Sequence, residues 1–179
     1  MFYLSIVIFF IAILLIILSR RQEKSINLPP GKLVALDQKG WKSLQKPLFS
    51  PYWGLTGKPD YLYQINAHLI PIEVKTSRTP HEPYLAHILQ LAAYCLLVED
   101  TYHKTPPYGY LHYRTPPHSA STYSKTWQIP FTRPLKNQLL QLLEEMRRQC
   151  SLPEIPRSHS SPARCDHCGY RHICDQKIE

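Results

Sequence analysis

Several motifs are absent from the sequence, and their absence argues against particular classes of enzyme. It has no glycine-rich loop of the kind that cradles the phosphates of a nucleotide. It also has no convincing order of Ser, His and Asp for a serine-hydrolase triad. Its six Gly are outnumbered by 17 Pro, which indicates many stiff connections between elements. These absences argue against nucleotide hydrolysis and against ester hydrolysis.

Acidic residues are also few, with 13 Asp and Glu against 21 Lys and Arg, and the formal net charge is +8 at pH 7. Such an excess favours a polyanionic partner, either nucleic acid or an anionic membrane surface. Charge alone does not distinguish these from a soluble basic protein without such a partner. The 179 residues, 44% of them hydrophobic, are enough for one globular domain with a sizeable core, plus appendages.

Charged residues are absent from residues 2–18, which form an apolar run. As a helix this run would span about 26 Å, close to the thickness of a hydrocarbon core. Basic residues follow the run and no Ala-x-Ala site appears, which favours an uncleaved anchor at 1–19. The alternatives are an uncleaved signal-like segment and a misassigned start codon. Because basic residues prefer the cytoplasmic side, we predict a single-pass membrane protein with its soluble domain in the cytoplasm.

The order of the other predicted elements indicates an α/β domain over 32–149, preceded by a polar linker at 20–31 and followed by a cysteine-rich tail at 150–179. Alternating and apolar patterns predict strands at 32–37, 61–63, 69–74, 108–113 and 126–131. Residues 84–98 are predicted to form a helix, because Leu85, Ile88, Leu89, Ala92 and Leu96 recur at helical spacing. A second helix follows Thr132 as its N-cap, with a core stripe of Leu135, Leu139, Leu142 and Met146. We expect a mixed sheet of about four to five strands with helices on its faces.

Three charged residues are gathered by the strands at 61–63 and 69–74, which flank Asn66 and should pair antiparallel. Because alternate residues of a strand share a face, Glu73 and Lys75 point the same way. Asp60, at the mouth of the partner strand, can reach the same place. Two carboxylates suit a hard cation such as Mg²⁺, which leaves its other positions to water and phosphate. Taken alone the pattern is weak, and a solvated hairpin face is the simpler interpretation.

The surrounding residues strengthen the metal-site interpretation. Pro59-Asp60, Glu73-Val74-Lys75, and Gln90 with Tyr94 resemble the motifs of the PD-(D/E)XK nuclease superfamily, in particular its RecB-like branch, which includes the CRISPR-associated exonucleases. The runs at 54–60 and 70–75 look most like that branch. The resemblance covers about residues 32–113 well and the cysteine tail partly.

The resemblance implies a restriction-endonuclease-like fold and metal-dependent cleavage of DNA, of the exonuclease type. The residues that match the catalytic positions are Asp60, Glu73, Lys75, Gln90 and Tyr94. It further implies that Asp60, Glu73 and the carbonyl of Val74 bind Mg²⁺ or Mn²⁺, and that Gln90 and Tyr94 flank the metal and contact the nucleic acid. His87 shares their helical face but matches no motif position, so it is only a candidate.

The tail carries Cys165, Cys168 and Cys174, spaced as Cys-x2-Cys-x5-Cys. In a cytosolic compartment, where thiols stay reduced, this is better spacing for thiolate ligands than for disulfides. The resembled exonucleases end in a similar triplet, which joins one earlier cysteine to hold a four-iron-four-sulfur cluster. Here no cysteine lies between Met1 and Cys95, and Cys95 itself is expected to be a small core residue.

The sequence therefore does not identify the fourth ligand of the tail. Cys150 could complete the set, or His167 or His172 could. A site of three cysteines and one histidine would suit structural zinc. An iron-sulfur cluster, zinc and unligated thiols all remain possible.

Three functional hypotheses follow from the sequence. The first is a Mg²⁺- or Mn²⁺-dependent DNA nuclease tethered to the membrane through residues 2–18. The second is a membrane-anchored module that binds DNA without cutting it, which should not need the charge of Glu73. The third is an interaction protein whose basic charge meets anionic lipid. Strand polarity, DNA versus RNA, and any nuclease or helicase partner stay open.

Overall fold

The computed structural model describes residues 32–36, 46–115 and 123–178 and the isolated positions 9, 11 and 13; for 32–36 only the backbone is described. The chain divides into two compact units, Met1–Leu139 and Leu140–Glu179, and each is described by itself. Apart from the three isolated positions, the predicted anchor and linker lie outside the described residues. Within the described residues, no helix combines the length and the apolar character needed to cross a membrane.

The described elements form a mixed sheet, a small second sheet and three helices. They are β1 (Lys32–Leu36), β2 (Leu48–Ser50), β3 (Leu55–Gly57), β4 (Tyr61–Ile65), β5 (His68–Thr76), α1 (Leu85–Tyr102), β6 (Tyr108–Arg114), β7 (Ser124–Pro130), α2 (Arg133–Cys150) and α3 (Pro162–Asp166). Five strands make one sheet in the order β1-β4-β5-β6-β7, and β2 pairs with β3. Only β5 and β6 run parallel among the pairs of described strands. The predicted α/β fold with a mixed sheet is confirmed.

The hairpin of β4 and β5 sets the register on which the site depends. Asn66 takes a left-handed conformation in the turn, with φ 55°, which asparagine tolerates better than most residues. The strands pair antiparallel from Ile65 opposite His68 to Tyr61 opposite Ile72. Asp60 lies one residue before β4, so the same register places it opposite Glu73.

Helix α1 makes the crossover that the parallel pair β5 and β6 requires. It packs on the sheet through Leu91, which joins Leu111 and Tyr113 in a buried cluster. Gly109 makes this close approach possible, because a Cβ there would lie 2.8 Å from Leu91 Cγ. The helix is longer than predicted, and its first residue, Leu85, is 55% exposed. The predicted helix is confirmed, and Leu85 shares the helical spacing of the apolar residues but lies at an end of the helix that is not covered.

Helix α2 begins where the sequence predicts, since the backbone N–H of Leu135 donates to Thr132 Oγ1 at 3.4 Å. Its predicted core stripe is only partly correct. Leu139 is buried, whereas Leu142 is 40% exposed and Met146 is 53% exposed. Helical spacing identifies residues that share a face, but it does not say whether another element covers that face.

Candidate active site

The five predicted catalytic residues meet where β5 passes beneath α1. Glu73 and Lys75 lie on β5, and the Lys75 ammonium donates to Glu73 Oε1 at 2.8 Å. Glu73 is only 6% exposed, so its charge is largely removed from water. The alternation of the strand accounts for this contact, because residues two apart point to the same face.

Asp60 is tied to the same strand by a backbone hydrogen bond. The N–H of Val74 donates to Asp60 Oδ2 at 2.7 Å. This bond fixes the Asp60 side chain between the start of β4 and the middle of β5. Asp60 therefore faces the same place as Glu73 and Lys75, and its carboxylate is close enough to influence the ionisation of Glu73.

Gln90, on α1, connects the other members of the site. Its side-chain oxygen accepts from Lys75 Nζ at 2.6 Å, and its amide nitrogen donates to Glu73 Oε1 at 3.0 Å. The same nitrogen lies 2.9 Å from the Tyr94 hydroxyl, to which it donates one turn further along the helix. Gln90 thus holds the acid, the amine and the phenol in one network.

The electrostatics of Glu73 favour a cation beside it. Burial raises the pKa of the Glu73 carboxyl above its ordinary value, and the nearby Asp60 carboxylate adds to the rise, while the hydrogen bond from Lys75 opposes it. Two carboxylates forced together in a poorly solvated place repel each other, and a divalent cation between them would relieve that repulsion. The donor set consists of hard oxygen atoms, which fits Mg²⁺ or Mn²⁺.

This pair of acids is not a complete metal cage. Nowhere in 32–36, 46–115 or 123–178 do three or more His, Cys, Asp or Glu residues form a group that could hold a metal ion. For Mg²⁺ this is no obstacle, because that ion commonly takes one or two carboxylates and leaves its other positions to water and phosphate. The set at Asp60 and Glu73 therefore suits an ion that is shared with a substrate.

Gly57, on β3, lies directly against the ring of Tyr94. A Cβ at Gly57 would lie 2.9 Å from Tyr94 Cε1 and 3.0 Å from Leu97 Cδ1. We expect Gly57→Ala to lower the free energy of unfolding by about 1–3 kcal/mol, because an overpacked position forces its neighbours to move. Urea unfolding would measure the loss.

The matched control for Gly57 is Gly169→Ala, since a Cβ at Gly169 meets no atom within 4 Å. We expect that change to stay within about 0.5 kcal/mol of the wild type, as is usual for surface substitutions. Equal losses at the two glycines would contradict the contact with Tyr94.

His87, the unassigned candidate, lies beside the network rather than in it. Its Nδ1 is 2.6 Å from the Tyr113 hydroxyl. Burial lowers the pKa of His87 below its ordinary value, and the Lys75 charge lowers it further. Sequence reasoning placed His87 on the correct helical face but missed Tyr113. Tyr113 is opposite Lys75 in the parallel pairing of β5 and β6, which no local pattern revealed.

The cysteines of the tail lie in the second unit. Cys165 is buried and Cys168 is exposed, and the N–H of Cys168 donates to the Cys165 carbonyl at 3.1 Å. These two, with Cys150 and Cys174, belong to the described residues, in which no metal-holding group of three is found. Cys95 is buried in α1, as expected for a small core residue.

Comparison with known proteins agrees with the motif at this site. Residues 17–175 match the family model of the PD-(D/E)XK nuclease superfamily. The chain is also similar to the CRISPR-associated exonuclease Cas4 of Francisella tularensis subsp. novicida (strain U112), with 26% identity over 128 residues, or 72% of this chain. The aligned part spans 60% of the length of that relative.

Proposed function

The chain belongs to the PD-(D/E)XK nuclease superfamily, and on that premise we propose that it hydrolyses the phosphodiester bonds of DNA with Mg²⁺ or Mn²⁺. The observation that carries the proposal is the network of Asp60, Glu73, Lys75 and Gln90, which gathers two carboxylates and an ammonium around one place. We further propose exonuclease-type cleavage, which is supported by the similarity to the CRISPR-associated exonuclease of Francisella.

The oxygens proposed to hold the ion come from Asp60, Glu73 and the Val74 carbonyl. Asp60 uses Oδ2 for the Val74 amide, and Glu73 uses Oε1 for Lys75 and Gln90. The two carboxylates also contact each other, and a cation bound by both would replace that contact between like charges. When bound, the ion would supply Lewis-acid chemistry, polarising a phosphate oxygen and making water more acidic.

Lys75 is proposed to stabilise the charge that builds up on the phosphate. An ammonium has three N–H donors, and two of them are directed at Glu73 and Gln90. The third can donate to a phosphate oxygen or to the attacking water. Because its two protein partners already fix its position, little reorganisation is needed when charge develops.

Gln90 and Tyr94 are proposed to position these groups and to contact the strand. Arg78, exposed in the loop after β5, and Lys58, next to the motif, add positive charge near the site. Contacts of this kind bind phosphates without reading the sequence. The net charge of +8 is consistent with such a partner.

The proposal is tested with the full chain and a labelled DNA strand. We expect cleavage with Mg²⁺ or Mn²⁺ and none with excess chelator. We also expect either ion to raise the Tm, because a ligand that binds only the folded state stabilises it. Absence of cleavage with both ions, or cleavage that the chelator does not affect, would overturn the proposal.

Two further proposals are independent of the nuclease. One is attachment to a membrane through residues 2–18, with the nuclease domain in the cytoplasm. The other is a cluster or zinc ion held by Cys165, Cys168 and Cys174 with Cys150 or a histidine. Visible absorbance of anaerobically purified protein, together with metal analysis, would distinguish iron-sulfur, zinc and unligated thiols.

A further inference from the structure

An exposed tyrosine stands at the start of α1, beside the candidate site. Tyr84 is the N-cap of the helix, and its side chain is 56% exposed. It lies one turn before His87 and six residues before Gln90, or about 9 Å along the helix axis. A large aromatic surface is thus open to solvent close to the residues that would handle the scissile phosphate.

The backbone of Tyr84 is firmly held. Its carbonyl accepts the N–H groups of His87 at 2.9 Å and Ile88 at 3.1 Å. The N–H of Tyr84 donates to the Tyr113 hydroxyl, a contact that opposes the rise in the pKa of Tyr113 caused by burial, and Tyr113 has an exposure of 0%. Because the backbone is fixed, only rotation of the side chain remains to be restricted when a ligand stacks on the ring.

The ring of Tyr84 is held as well. The His87 ring meets it edge to face, with centroids 5.4 Å apart and an interplanar angle of 88°. His87 is itself fixed by the bond between its Nδ1 and the Tyr113 hydroxyl. His87 therefore braces one side of the tyrosine ring, and more than half of the side chain remains accessible.

The contacts that fix the Tyr84 ring extend through Tyr113 to Lys75 on one side and to Trp127 on the other. Tyr113 is opposite Lys75 in the sheet, and its ring packs edge to face on Trp127 at 5.2 Å. The ammonium of Lys125 lies 4.4 Å from the centroid of the Trp127 ring. Exposed aromatic rings combined with cations that meet the phosphates are what binds single strands, because bases stack on the rings, and here the rings and the lysines are joined through Tyr113 and Trp127.

We propose that Tyr84 stacks on a nucleobase of the substrate strand, in a nucleotide next to the scissile phosphate, and that His87 and Tyr113 position its ring. The inference rests on the proposed nuclease function, since it names a substrate contact of that same site. It assigns Tyr84 a role in recognising an unpaired base. Lys75 and the carboxylates act on the phosphate instead.

The test compares the binding of two strands to the full chain in the presence of chelator, so that no cleavage occurs. One strand is an oligothymidylate and the other is an abasic strand of equal length and charge. We expect Tyr84→Ala to weaken oligothymidylate binding by about 5- to 150-fold, the range found when one stacking residue is removed. Binding of the abasic strand should stay within about twofold. Tyr84→Trp should restore oligothymidylate binding.

The matched control is Tyr52→Ala, which removes another exposed tyrosine, 77% exposed on the turn between β2 and β3. It should leave both affinities unchanged. If Tyr84→Ala weakened both strands equally, or if Tyr52→Ala had the same effect, stacking at Tyr84 would be refuted. Equal melting curves for the variants would exclude misfolding as the cause of a selective loss.

Cleavage assays distinguish failure of the stacking proposal from failure of the proposed nuclease function. With Mn²⁺, we expect Tyr84→Ala to raise the KM for oligothymidylate with little change in kcat, and to leave cleavage of the abasic strand unchanged. If the wild type cleaved neither strand, the nuclease proposal would fail, while the binding comparison in chelator would still decide whether Tyr84 stacks on a base.

Discussion

Replacing Lys75 with Ala should lower the rate of DNA cleavage by about 10²–10³-fold, the usual cost of removing one preorganised donor to a charged transition state. Glu73 and Gln90 hold the ammonium at 2.8 and 2.6 Å, so its position is fixed before the substrate arrives. Single-turnover cleavage with saturating Mn²⁺ would measure the rate without interference from product release. Binding of the strand in chelator should change much less than the rate, because one phosphate contact is only part of the total.

The control for Lys75 is Lys104→Ala, which removes the same charge from an exposed loop position and should leave the rate unchanged. Gln90→Ala should also slow cleavage, because Gln90 fixes both Lys75 and Glu73. Since these residues form one network, we expect Gln90→Ala to add little to the loss in the Lys75→Ala background. Cleavage that survived Lys75→Ala, and Asp60→Ala as well, would refute the assignment of the site.

The local part of the site follows from the sequence because its determinants are local. The alternation of β5 places Glu73 and Lys75 on one face, and the short turn at Asn66 fixes the register that brings Asp60 level with Glu73. Helical spacing puts Gln90 and Tyr94 on a common face of α1. Patterns with periods of two and 3.6 residues, together with one tight turn, were sufficient for these predictions.

The non-local part could not be predicted in the same way. The parallel pairing that places Tyr113 opposite Lys75 spans the whole α1 crossover, and no short pattern encodes it. The close contact of Gly57 with Tyr94 depends on how β3 packs against α1. The exposure of Leu142 and Met146 reflects missing cover rather than wrong periodicity. Each case depends on which surfaces meet in three dimensions.

Glu73 links the proposed function to the stability of the fold. A buried carboxylate next to a second carboxylate is unfavourable, and its raised pKa expresses that cost. The folded chain therefore favours the protonated form of Glu73 more than the unfolded chain does. The stabilisation that protonation provides is fully present below the ordinary pKa of a glutamate, and it is lost as the pH rises through the raised pKa of the folded state.

We therefore expect Glu73→Gln to have opposite effects on activity and stability. The rate of cleavage should fall by about 10³-fold, because the change removes a carboxylate ligand and with it several kcal/mol of metal-assisted stabilisation. At neutral pH and without metal, the Tm should rise by about 2–4 °C, or about 1 kcal/mol, because a neutral amide can keep the hydrogen bonds without the buried charge. Thermal melts from pH 4 to pH 8 should show the gain shrinking toward acid, where Glu73 is protonated.

Glu82→Gln makes the same chemical change at an exposed position before α1, and it should alter neither the Tm nor the rate. Mn²⁺ should raise the Tm of the wild type more than that of Glu73→Gln, because the ion needs the carboxylate. A module that binds DNA without cutting it would behave differently, since its function should tolerate Glu73→Gln. If this variant cleaved DNA at the wild-type rate, or if its Tm fell at neutral pH, Glu73 would be an ordinary ion-pair residue rather than the strained ligand of a metal site.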